Sequence, residues 1–70
     1  MIEMYKLNSP VGGLDMVNYY SKTDIINAMK SFHRISGSYC HHKFRHLVLD
    51  KKIVPIGYVM LETGEFIKYE

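Results

Sequence analysis

Residues 38–46, SYCHHKFRH, hold the only cysteine of the chain, three of its four histidines, and a lysine and an arginine flanking Phe44. Whether this stretch forms a strand or a helix decides the fold. As a helix, Cys40, Phe44, Leu47 and Val48 line one face at i, i+4, i+7 and i+8, and His41, His42, Lys43, Arg45 and His46 are solvated. As a strand, Cys40, His42, Phe44, His46 and Val48 share one face, and Tyr39, His41, Lys43, Arg45 and Leu47 the other. The helical template fits the polarity better. The surroundings favour the strand, because LVLDKKIVPI (47–56) reads as two strands turning at Asp50-Lys51-Lys52. That context tips the reading to a strand.

Working outward, the segment before it is the clearest. Ser21 is an N-cap residue, and Asp24 stands where the acid of a capping box stands. Ile25, Ala28, Met29, Phe32 and Ile35 then share one face at helical spacing, with Thr23, Asn27, Lys30 and Arg34 opposite and Gly37 as the stop. An amphipathic helix is expected over about 22–35. Upstream, IEMYKL (2–7) and DMVNYY (15–20) read as two strands of a hairpin, joined through the turn-rich NSPVGG (8–13). Downstream, GYVMLETGEFIKY (57–69) reads as a second hairpin turning at Thr63-Gly64. That turn would set Glu62 against Glu65, Met60 against Ile67 and Tyr58 against Tyr69, with Leu61 and Phe66 paired on the other face. Pro55 marks an edge or a bend. The expected architecture is α+β: a single domain over 1–70, one helix packed on an antiparallel sheet, and a C-terminal hairpin. A winged helix-turn-helix is the alternative if 38–49 is helical.

Seventy residues leave room for one small core. A lone cysteine excludes an internal disulfide framework and suits a reducing compartment. There is no apolar run of about 18 residues, and MIEMYKLNSPVGG carries no basic leader before an apolar stretch. A cytoplasmic location is therefore expected. The net charge of +2 is unevenly spread. Residues 21–52 hold seven lysines and arginines against Asp24 and Asp50, whereas 1–20 and 53–70 are weakly acidic. A basic middle attracts anionic partners, though the whole chain is less basic than a dedicated nucleic-acid binder.

The chemistry of the opening stretch narrows by elimination. Structural zinc draws on paired ligands from two places, and here there is one cluster. On a strand His42 and His46 stand about 13 Å apart, too far to share an ion. On a helix they are close enough to chelate, but no third ligand is evident, so no metal and no cofactor are expected. Cys40 beside His41 and His42 has the residue types of a thiol nucleophile, but neighbours in sequence are not a catalytic geometry. Glu62 and Glu65 sit at a hairpin tip where water keeps carboxylates ordinary. SPVGG lacks the lysine and hydroxyl ending of a phosphate loop. No catalytic residue is expected, and the chain reads as a non-enzyme.

Binding remains. Lys43, Arg45, Lys51 and Lys52, with His41, His42 and His46, form the candidate basic surface. Tyr39, Phe44, Tyr58 and Tyr69 are the candidate aromatic contacts. Tyrosine, methionine and arginine are common interface anchors, and opposite charge at two ends of a small domain suits docking on a charged protein. The expected function is a small protein-binding inhibitor or regulator, of the accessory kind that phages and mobile elements encode. Nucleic-acid binding through 41–52 is the alternative, combining phosphate contacts with stacking, and capture of a small anionic ligand is a third. No membrane partner is expected, and a homodimer is compatible with the sequence.

Overall fold

A computed structural model describes residues 1–70. The elements run β1 (Ile2–Leu7), β2 (Tyr19–Ser21), α1 (Lys22–His33), α2 (Gly37–Leu49), β3 (Ile53–Val59) and β4 (Phe66–Lys68). The strands form one antiparallel sheet in the order β2-β1-β3-β4. Two helices pack on the sheet face that carries Tyr5, Leu7 and Ile53, and Ile25, Ile26, Met29, Cys40 and Phe44 complete the core. The α+β architecture is as the sequence implies, with a second helix added. No helix is long and apolar enough to cross a membrane.

The strand reading of 38–49 is corrected: this stretch is α2. Ser36 caps it by accepting the Tyr39 N–H at 3.4 Å. Cys40 and Phe44 are buried, Leu47 and Val48 half-buried, and the histidines point outward. Burial of the i, i+4 apolar stripe against α1 and the sheet is what selects the helix. The turn at Asp50–Lys52 exists, but it joins a helix to a strand. The Asp50, Lys51 and Lys52 N–H groups fold back onto the carbonyls of His46, Val48 and Leu47.

Helix α1 starts where the sequence places it. The Ser21 Oγ accepts from the Asp24 N–H and the Asp24 carboxylate accepts from the Ser21 N–H, completing a capping box. Its end differs. Arg34 takes the left-handed C-cap position at φ 54°, and Gly37 opens α2 instead of stopping α1. The buried face is centred on Ile25, Ile26 and Met29, leaving Phe32 64% exposed. Phe32 lies instead beside the loop at Gly13, where an added Cβ would stand 3.0 Å from its ring.

Strand β2 is three residues long, shorter than expected, because Asp15 captures the preceding segment. Its carboxylate accepts from the Val17 N–H and the Asn18 amide, both at 2.7 Å. Such local side-chain bonds compete with a ladder. Between β1 and β3 the register shifts at Met4/Tyr5, so Ile56 has no opposite residue, directly after Pro55. The bend anticipated at Pro55 is this bulge.

The C-terminal hairpin is displaced by two residues from the expected register. Tyr58 faces Ile67 and Val59 faces Phe66. The loop is Leu61–Gly64, closed by Met60 N–H to Glu65 O at 2.9 Å and Gly64 N–H to Met60 O at 2.8 Å. A two-residue Thr63-Gly64 turn would put β-branched Thr63 at positive φ. The longer loop needs positive φ only at Gly64, which has φ +71°. Phe66 therefore leaves Leu61 and reaches across the sheet to stack on Tyr19, with ring centroids 5.6 Å apart.

Candidate binding groove

A groove of about 610 Å³ runs between the first residue of α1, the outer side of α2 and β1. Lys22, His41, His42 and Arg45 are its polar lining, and Tyr5, Phe44, Val48 and Leu49 its aromatic and aliphatic lining. No carboxylate lines it. Lys22 is carried in by the capped start of α1, and its Nζ stands 5.3 Å from the Phe44 ring centroid. That cation–π contact holds the ammonium over the floor while the head stays hydrated.

The floor is rigid. Phe44 meets Tyr5 edge to face at 5.3 Å and 90°, a favoured aromatic geometry. The Tyr5 hydroxyl donates to Glu3 at 2.9 Å and the Tyr69 hydroxyl donates to the other Glu3 oxygen at 2.8 Å. Tyr69 in turn lies 5.9 Å from Tyr58. Burial, then the Glu3 hydrogen bond and charge, push the Tyr5 phenol up to about 12. The Glu3 hydrogen bond is also the main cause that raises Tyr69. Both phenols thus stay neutral donors, and Glu3 is committed to them rather than to the groove cations.

The sequence-derived candidates divide. His41, His42 and Arg45 share the groove. His46 stands next to it, with its Nε2 3.2 Å from that of His42. Lys43 lies on another side of α2, at a small cavity of about 40 Å³ with Pro10, Val11, Met29, His33 and Leu47. Lys51 and Lys52 are exposed in the α2–β3 turn. Their carbonyls accept from the Asn8 side chain at 3.1 Å and the Asn8 N–H at 2.8 Å, and neither residue lines the groove. Phe44 is a floor residue at 6% exposure, whereas Tyr39 is 54% exposed and outside the groove. Tyr58 and Tyr69 belong to the Glu3 network.

Tyr5, Lys22, Val48 and Leu49 were not singled out by sequence. Lys22 had one available signal: it follows the N-cap directly, so a helix start delivers it. Tyr5 had none, because only the strand order puts β1 under Phe44. Cys40 is fully buried in the core, a placement that makes thiols unreactive. Glu62 and Glu65 are exposed and do not face each other, since Met60 takes the place opposite Glu65. No protein-family profile, curated protein or solved structure matches the chain.

Proposed function

We propose that the protein is a non-enzymatic binding module that docks an acidic, partly apolar segment of a partner protein in the groove between α1 and α2, and so blocks or redirects that partner. One observation carries the reading: two permanent cations and two imidazoles surround an aromatic and aliphatic floor, with no carboxylate among the lining residues. Such a groove matches a peptide whose carboxylates meet Lys22 and Arg45 while an apolar side chain covers half-buried Val48 and exposed Leu49 above Phe44. Charge of this kind steers association and selects against basic segments. The burial of Tyr5 and Phe44 favours a peptide side chain over a nucleobase, because stacking needs an open ring face. Nucleic acid is the second reading, favoured by the outward Arg45, His41 and His42 on one helix.

Selection of binders from a displayed random peptide library tests the proposal. Enriched peptides should combine Asp or Glu with an aliphatic or aromatic residue, and Arg45→Glu should remove their binding. Peptides without acidic bias, or binding indifferent to Arg45→Glu, would overturn it. Salt-sensitive retention of nucleic acid with no peptide enrichment would install the second reading.

A further inference from the structure

We propose that His42 and His46 form a two-imidazole clamp for a divalent transition-metal ion of the Zn²⁺, Ni²⁺ or Cu²⁺ class on the exposed side of α2. The helix creates the site. One turn of helix places residues i and i+4 side by side, and here it brings the two Nε2 atoms to 3.2 Å with ring centroids 4.7 Å apart. Metal–imidazole bonds of about 2.0–2.1 Å that open at about 90–110° separate their donor atoms by roughly 2.9–3.4 Å. The observed spacing lies inside that window. Imidazole is the ligand type that suits Zn, Cu and Ni, whereas Mg²⁺ and Ca²⁺ take oxygen ligands.

Both rings are exposed, so a cation reaches them without opening the fold. In the metal-free molecule one Nε2–H donates to the other Nε2. On binding, the donor ring passes that proton to solvent and takes one up on Nδ1, so both rings carry their proton on Nδ1 and both Nε2 lone pairs face the ion. No set of three His, Cys, Asp or Glu side chains is gathered anywhere in the chain. The other coordination positions therefore fall to water. Arg45, one turn from His42 and adjacent to His46, repels a cation, which keeps affinity below that of a three-ligand site. The clamp is independent of the peptide reading, since it needs only the geometry of α2.

Zinc chloride titration of the full chain, followed through the histidine ring resonances, tests it. Zn²⁺ should shift His42 and His46 together at one stoichiometric equivalent, leaving His33 and His41 in place. His42→Ala and His46→Ala should each weaken binding by about tenfold or more, as half the protein ligands are lost, while His41→Ala should not. Among chlorides, Cu²⁺ should bind more tightly than Ni²⁺ or Zn²⁺, and Mg²⁺ should be without effect. Unmoved His42 and His46 resonances at about millimolar Zn²⁺, against the imidazole affinity expected, would overturn the proposal. So would equal loss from His41→Ala, which would mean diffuse histidine binding. Either failure leaves the groove and its peptide reading untouched.

Discussion

Tyr69 donates its phenol proton to Glu3 at 2.8 Å, across 66 positions of sequence. The same carboxylate receives Tyr5 on its other oxygen, so one acid fastens β1 to the segment that follows β4 and holds the hydroxyl of a groove-floor tyrosine.

Alkaline titration should read that arrangement directly. Tyr5 titrates near 12 because burial and Glu3 both disfavour its phenolate. Its folded-state pKa is raised, so its contribution to stability is complete below the ordinary tyrosine range and is lost as pH rises through about 12. Phenolate absorbance should show this late tyrosine. Glu3→Gln should bring Tyr5 and Tyr69 back toward ordinary values, Tyr5 only in part because its burial persists. An unchanged titration curve in Glu3→Gln would contradict the hydrogen bonds.

Phe44 joins the core to the groove, and its truncation should damage both. Phe44→Ala is expected to cost about 3–5 kcal/mol. A single core in a chain this short supplies roughly 3–5 kcal/mol in total, so the variant should be largely unfolded near physiological temperature. Phe44→Leu should cost about 1–2 kcal/mol and retain the fold, measurable by denaturant midpoints. Cys40 offers a second gauge: fully buried, it should resist alkylation in the native protein and react in Phe44→Ala.

Gly57 is where the sheet tolerates no side chain. A Cβ there would collide with the Ile67 carbonyl oxygen, and stand 2.9 Å from both the Lys68 Cα and the Phe66 ring. Two of those neighbours are backbone and cannot swing away. Gly57→Ala should therefore separate β4 from β3, at a cost of about 1–3 kcal/mol. Amide hydrogen exchange should show lost protection confined first to β4 and its β3 partners. Protection equal to wild type would refute the close approach.

The groove cations are largely exposed, so binding of a selected acidic peptide should weaken steadily with added salt. Lys22→Glu and Arg45→Glu should each reduce affinity by about tenfold or more, the scale of a lost charge-assisted contact. Lys68→Glu, on β4 and outside the groove, should change it by less than about twofold. Isothermal titration at two salt concentrations separates these outcomes. Equal effects from Lys68→Glu and Arg45→Glu would reduce the groove to a general charge attraction.

Local chemistry was legible in the sequence wherever a residue dictates its own backbone or its neighbour's. Ser21 with Asp24 fixed the start of α1, the alternation in 2–7 marked β1, and the absence of any long apolar segment excluded a membrane-spanning helix. The α+β class followed from those pieces. The stretch 38–46 was misread because both templates place Cys40, Phe44 and Val48 together, and the strand-like run that follows at 47–56 outweighed the better helical fit of the polarity. Only the packed core decides: in the helix Cys40 and Phe44 meet Ile25, Met29 and Tyr5, while the polar residues remain in water. The hairpin register follows from the turn, where Gly64 alone takes positive φ, and distant contacts complete it: Gly57 makes room for a Phe66 ring that stacks on Tyr19 from the opposite edge.

The candidate site divides the same way. The sequence by itself determined a basic middle, a capped helix start and three histidines in one short run. Tertiary structure alone decided that Lys22 and Arg45 flank one groove, that Lys43 turns elsewhere, and that His42 and His46 stand 3.2 Å apart. The reason is physical. Charge and capping act over one or two turns of chain, but a groove is made by elements that meet only when apolar side chains far apart in sequence are removed from water together.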